Sequence, residues 1–211
     1  MRPVNLEAVT IDAFGTLLGL RDPVPALRAA LEARGAARSE EQVRRAFAAE
    51  VEFYVGRSHE GRDEATLALL RRDCAGVFLA AAGAELGPEE FAPAFVASLE
   101  FAELPGASAA CRALAAAGLR LAVVSNWDVA LHEHLAALDL DSLLDTVVTS
   151  AEAGAPKPAP DVFELALARL GAVPARTVHV GDAAADEVGA RAAGLGFEPA
   201  PLAEAAQRIL A

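Results

Sequence analysis

Leu6-Glu7-Ala8-Val9-Thr10-Ile11-Asp12-Ala13-Phe14-Gly15-Thr16 reads as a short strand, rich in β-branched residues, that breaks at an aspartate and turns at a glycine. It lacks polar alternation, which is how a parallel strand reads when helices cover both faces of its sheet. Working outward, the pattern recurs at residues 119–124, 146–149 and 177–180, with a weaker copy at 195–197. Helical segments over 107–117, 129–138, 162–170 and 187–193 alternate with these strands. The alternation predicts an α/β fold, an open doubly wound parallel sheet of Rossmann-like type.

Between the first strand and Leu104 the sequence has no convincing strand but four helical segments, near 25–34, 40–52, 64–82 and 88–99. No single crossover is that long. The expected organisation is a core domain formed by residues 1–19 and 100–211, with an all-α helical bundle inserted over 20–99. Alanine, about a quarter of the chain, raises helix propensity and blunts periodic contrast along the way.

The 211 residues carry 18 basic and 30 acidic side chains, a net charge of −12, and 54% are hydrophobic. No basic stripe is available for a nucleic-acid backbone, and no apolar run reaches the roughly 18 residues of a membrane helix. Glu7 and Asp12 stand where a signal peptide would place its apolar stretch, so a cytoplasmic location is expected. Cys74 and Cys111 sit in Ala-rich helical contexts without metal-ligand spacing and read as reduced, buried thiols. The expected partner is a small anionic substrate, on a monomer or a homodimer.

Ligands of open α/β sheets bind beyond the carboxyl ends of the strands, so the residues that follow each strand are the candidates. They are Asp12 through Thr16, Ser125-Asn126, Lys157 within Ala155-Pro156-Lys157-Pro158, and Gly181-Asp182 with Asp186-Glu187. Lys157 is the one lysine among 18 basic residues. Its placement between two prolines points to a site that needs a compact ammonium rather than a planar guanidinium. Asp128 and Asp161 read as helix N-caps, Asp161 with Glu164 in a capping box.

Taken in order, these clusters resemble the four motifs of the haloacid dehalogenase superfamily, in its helical-cap branch. The resemblance covers the core; the inserted helices match only the family's habit of carrying a helical cap there. It implies a hydrolase with Asp12 as nucleophile and Lys157 as the charge that steadies nucleophile and substrate. Thr16, Ser125 and the Asn126 amide would bind the substrate. Asp12, the Phe14 backbone carbonyl, Asp182 and Asp186 would hold Mg2+, a cation that favours hard oxygen ligands. Glu187 is the substitute for Asp186, since adjacent helical positions point about 100° apart and only one faces the site.

One departure divides the functional reading. Family phosphatases usually carry a second aspartate two residues after the nucleophile, as proton donor and acceptor, and here that position is Phe14. An aromatic there resembles the family's 2-haloacid dehalogenases, whose halide leaves without a proton. The first expectation is a magnesium-dependent phosphatase of a small phosphate monoester, working through an aspartyl-phosphate. A metal-independent 2-haloacid dehalogenase using Asp12 is the alternative, and a catalytically weak or idle ligand-binding protein is a third. His179 reads as a packed strand residue, His132 and His134 as exposed, and Trp127 as packing near the site's rim. Arg57, in Phe53-Tyr54-Val55-Gly56-Arg57-Ser58-His59, and Arg21 read as solvated charges first and anion contacts second.

Overall fold

The computed structural model describes residues 6–211, so residues 1–5 of the expected core lie outside the described residues. In chain order the elements are β1 (Ala8–Ile11), β2 (Leu18–Leu20), α1 (Val24–Glu32), α2 (Glu40–Val55), α3 (Glu64–Ala82), α4 (Pro88–Ala97), β3 (Phe101–Glu103), α5 (Ala107–Ala116) and β4 (Arg120–Ser125). They continue with α6 (Leu131–Ala137), β5 (Thr146–Thr149), α7 (Ser150–Ala153), α8 (Asp161–Leu170), β6 (Thr177–Gly181), α9 (Ala184–Ala192), β7 (Gly196–Pro199) and α10 (Leu202–Leu210). The chain divides into two compact units: one runs to Gly19 and resumes over Ala102–Ala211, and the other is Leu20–Phe101.

In the first unit five strands form a parallel sheet in the order β5-β4-β1-β6-β7. This is the doubly wound α/β fold that the alternating pattern predicts. The chain moves from β1 outward through β4 and β5, then returns to the other side of β1 for β6 and β7. The order therefore reverses at β1, and the crevice at its carboxyl end is where such sheets place ligands. Ile11 pairs in register with both Val123 and Val180, which brings the residues after all three strands to one edge. The β-branched strand residues are inside for the reason that made them legible: Val9, Ile11, Val123, Val124 and Val180 are fully buried. On one face Ala8, Ala122, Val124 and Val148 pack with Val162, Phe163, Ala166 and Leu167 of α8 and Ala190 of α9.

Three details differ from the sequence reading. Strands β2 and β3, three residues each, pair as a separate two-stranded sheet; they are too short to show a period. Asp161 is the first helical residue of α8, and Pro160 occupies the cap position with no side-chain bond. A proline already fixed at φ −71 starts the helix, and Asp161 contributes only its charge to the first turn. Asp128 accepts a hydrogen bond from the Ala130 N–H at 2.8 Å, forming a turn ahead of α6 rather than capping it.

The second unit contains α1 to α4 around an apolar core of Leu27, Leu31, Val43, Leu70, Phe78, Leu79, Phe91 and Phe95. Phe78 organises it, with ring centroids 5.9 Å from Phe91 and 5.2 Å from Phe95. Side chains close the N-terminal ends of the two long helices: Ser39 and Gln42 form a capping box on α2, and Asp63 and Thr66 form one on α3. Among the described residues no helix is long and apolar enough to cross a membrane.

Glu50 lies inside this unit, 5% exposed. Burial pushes its carboxyl up to about 7, opposed by a hydrogen bond with Cys74. A carboxyl raised in the folded state stabilises fully below its unfolded value, and that stability is lost as pH rises through the folded value. The predicted outcome is that Glu50→Gln leaves stability near wild type at pH 5 and raises it by about 1–3 kcal/mol at pH 8 to 9. Urea unfolding at the two pH values checks this; a difference independent of pH would contradict it.

Candidate active site

The site is built from the turn after β1. The Asp12 N–H donates to the Val180 carbonyl at 2.8 Å, which fixes the backbone where the strand ends. The chain then turns through Gly15, whose φ is +82. A Cβ at Gly15 would lie 2.2 Å from Asp182 Oδ2, so glycine is required both for the turn and for the approach of the fourth-motif loop. Gly181 is needed for close approach alone: a Cβ there would stand 2.5 Å from the Asp186 side chain.

Lys157 joins the clusters. Its Nζ donates to Asp12 Oδ1 at 2.5 Å, to Asp186 Oδ1 at 2.6 Å and to the Val124 carbonyl at 3.0 Å. An ammonium has three protons, and here each has an acceptor. Ser125 Oγ also donates to Asp12 Oδ1, at 3.0 Å, so two donors hold one oxygen of that carboxylate. Asn126 does something the sequence did not suggest. Its side-chain Oδ1 accepts from the Lys157 N–H at 2.6 Å and its Nδ2 donates to the Lys157 carbonyl at 3.0 Å. The asparagine side chain thus clamps the lysine's backbone.

Asp186 is 1% exposed and accepts from three directions: Lys157 Nζ, His179 Nε2 at 3.2 Å and the Ala183 N–H at 2.9 Å. Glu187 instead bonds Arg191 one turn along α9, at 2.8 Å. The structure therefore brings Asp12, Ser125, Asn126, Lys157, Asp182 and Asp186 together and leaves Glu187 out. Thr16 is buried, and its hydroxyl has no hydrogen-bond partner among the described residues.

The charges within the cluster are unequal. Burial pushes Asp12 upward and the charge of Asp186 adds to it, with Lys157 opposing. Burial would also raise Asp186, but the bonds from His179 and Lys157 outweigh it and hold that carboxyl well below its usual range. Asp182 is raised by burial and then by the Asp186 charge. Burial works against the Lys157 ammonium, yet Asp12 and Asp186 more than offset it. One ammonium thus faces three carboxylates whose ligand atoms lie within 4.8 Å of one another. Such a set of hard oxygens with surplus negative charge fits a divalent cation of the magnesium type.

Phe14 is half exposed, its ring 6.3 Å from that of Trp127, which is itself buried and 5.8 Å from His134. His134 is half-buried rather than exposed; His132 is exposed and bonds Glu152 at 3.3 Å. In the helical unit Arg57 stacks over Phe53 at 4.9 Å and pairs with Glu60, and Arg21 pairs with Glu100. Those arginines are surface ion pairs, as their sequence context suggested.

Residues 6–194 match the family model of the haloacid dehalogenase-like hydrolases. The chain belongs to that family. Over 93 residues it is 44% identical to haloacid dehalogenase-like hydrolase domain-containing protein 3 of Bos taurus, a match covering 44% of this chain and 37% of that protein. Over 80 residues it is 41% identical to a glyceraldehyde 3-phosphate phosphatase of Methanothermobacter thermautotrophicus, covering 37% of this chain and 35% of the other. The chain thus spans little more than a third of the length of the curated relatives it matches. Among solved structures it resembles an L-2-haloacid dehalogenase of Xanthobacter autotrophicus with chloropropionic acid covalently bound. That likeness has 25% identity and a TM-score of 0.65, covering 91% of this chain and 76% of the other. Its relatives and structural neighbours include both a phosphatase and a dehalogenase.

Gly15→Ala tests the close approach of the two loops. The left-handed backbone alone costs a non-glycine residue about 1–2 kcal/mol, and Asp182 must also move. Stability measured by urea should fall by at least that amount and hydrolase activity should be lost; a wild-type variant on both counts would contradict the packing described.

Proposed function

We propose that this hydrolase is a magnesium-dependent phosphatase of small phosphate monoesters, acting through an aspartyl-phosphate on Asp12. The observation that carries the reading is the acid cluster: Asp12, Asp182 and Asp186 offer three ligand oxygens within 4.8 Å of one another, and the one buried ammonium pairs with Asp12 and Asp186. A dehalogenation that expels halide needs no such concentration of carboxylate. The glyceraldehyde 3-phosphate phosphatase among the relatives supports the same side.

Asp12, Asp182 and Asp186, with the Phe14 carbonyl, would hold the cation, which offsets phosphate charge when bound. The Asp12 carboxylate attacks phosphorus, a P–O bond forms to Asp12, and the bond to the leaving oxygen breaks with its electron pair. Water then attacks the phosphorus of the aspartyl-phosphate and returns Asp12 and inorganic phosphate. Lys157 and the hydrogen bond from Ser125 fix the carboxylate beforehand, so little reorganisation accompanies attack. Thr16 and the Asn126 backbone N–H are assigned to the phosphate oxygens, with the Ser125 hydroxyl turning to them from Asp12 when the ester enters. The Asn126 side chain stays on the Lys157 backbone, and the helical unit Leu20–Phe101 is assigned to substrate selection as a cap. Cys74 and Cys111 are buried thiols that form no disulfide, which suits a reducing compartment such as the cytoplasm.

Phe14 favours a second reading. It presents an aromatic surface where a proton carrier would stand, and the similar Xanthobacter structure is a dehalogenase holding its acid covalently. Under that reading the same Asp12 would displace halide from a 2-halo acid.

Hydrolysis of para-nitrophenyl phosphate separates the readings, because its leaving group departs unprotonated and Phe14 does not limit it. Turnover that requires both magnesium and Asp12, and vanishes in Asp12→Asn, is the expected result. Chloride release from 2-chloropropionate that survives a chelator, without phosphatase activity, would overturn it. Phe14→Asp should raise turnover of alkyl phosphates on the order of 100-fold or more, the usual worth of a positioned proton donor.

A further inference from the structure

Thr10 and His179 form a polar pair in the apolar layer between the sheet and α8. They are register partners on β1 and β6, and both are fully buried. Their neighbours on that face are Ala8, Ala122, Val124 and Val148, and a valine pair would fill the same space without polar atoms to satisfy. A buried polar pair in such a layer costs stability unless every group is bonded. Here each is bonded: Thr10 Oγ1 lies 2.9 Å from His179 Nδ1, and His179 Nε2 lies 3.2 Å from Asp186 Oδ1.

The chemistry at each end sets the direction of these bonds. A carboxylate only accepts, so Nε2 carries the proton and donates to Asp186. Nδ1 is then an acceptor, and the Thr10 hydroxyl donates to it. The ring plane is fixed independently by Phe163, which meets it edge-on at 85° with centroids 4.9 Å apart. Gly189 lets α9 come that near: a Cβ there would lie 2.6 Å from Phe163 Cε2.

We propose that His179, oriented by Thr10, is a positioning residue that holds the Asp186 carboxylate in place for Lys157 and for a bound cation. It touches neither substrate nor the reacting atoms. Asp186 sits in the first turn of α9 and would otherwise be fixed by only the Ala183 N–H and Lys157; the imidazole supplies the third point. Groups that orient a metal-ligating side chain from behind commonly change metal affinity 10- to 100-fold when removed. The cation part of this inference rests on the phosphatase reading above, whereas the positioning of Asp186 does not.

Two measurements test it. In the metal-free protein, long-range 1H–15N correlation spectra, with the His179→Gln variant used to assign the ring, should show His179 as the Nε2–H tautomer. The Nδ1–H tautomer would overturn the proposal whatever the protein does with metal. Calorimetric titration with magnesium should show binding 10- to 100-fold weaker in His179→Leu and weaker in Thr10→Val. His179→Gln, which can still donate to Asp186, should recover most of the affinity. His179→Leu alone strands the buried Thr10 hydroxyl and should lower the unfolding temperature. Thr10→Val with His179→Leu leaves no unpaired group, should unfold near wild type and should still bind magnesium weakly, which separates positioning from folding. Wild-type magnesium affinity in a folded His179→Leu would overturn the proposal. Absence of magnesium binding in the wild type would contradict the phosphatase reading instead, and the tautomer would then decide the positioning of Asp186.

Discussion

The Lys157 ammonium between Asp12 and Asp186 is the interaction on which the rest of this site depends. It ties the loop after β1 to the first turn of α9, which follows β6, and its third bond reaches the end of β4 at the Val124 carbonyl. Three strand ends thus meet at one nitrogen. Buried ion pairs of this kind contribute little net stability, because desolvation consumes most of the attraction. Removing one partner is costly all the same, since it strands a buried charge. The geometry also explains the residue type: a guanidinium is planar and broad, and it would not place three donors tetrahedrally in so small a space. In a chain that otherwise uses arginine for every basic side chain, the exception falls where shape forbids arginine.

Everything next to that nitrogen serves to keep it still. Asn126 clamps the lysine's backbone from both sides, Ser125 shares its carboxylate, and glycines at 15 and 181 let the acid-bearing loops come within contact distance. The cluster itself carries surplus negative charge, three carboxylates against one ammonium. Burial pushes Asp12 and Asp182 upward and the Asp186 charge adds to it, while the bonds from His179 and Lys157 hold Asp186 low. The cluster is therefore arranged for one more positive charge, which is the physical content of the magnesium assignment. Phe14 sits at the edge of this arrangement and contributes surface without a proton, so the proposed chemistry favours leaving groups that depart as stable anions.

Much of this was legible from sequence because it lies in strands and the residues just after them. The β-branched runs of β1, β4, β5 and β6 carry a buried-sheet signal that alanine-rich helices do not obscure, and the residues after them are where an open sheet binds ligands. Lys157 announced itself by being alone. What sequence did not show depends on the third dimension. The side chain of Asn126 serves the lysine's backbone, a pairing 31 residues apart that no local pattern encodes. His179 read as a packed strand residue, which it is; its bonds to Thr10 and Asp186 follow from the β1–β6 register. The choice between Asp186 and Glu187 was narrowed to one by helical geometry, and Arg191 shows which side of α9 faces out. Helix starts were the weakest reading, since Pro160 and the Asp128 turn compete with aspartate capping in ways propensity does not rank.

The central claim is that phosphate transfers to Asp12. Borohydride added during turnover of a phosphate monoester reduces an aspartyl-phosphate to homoserine, and peptide mass spectrometry locates that change. The account predicts homoserine at position 12 when ester and magnesium are both present, and unchanged aspartate when either is omitted. Steady release of phosphate with position 12 unmodified would contradict it.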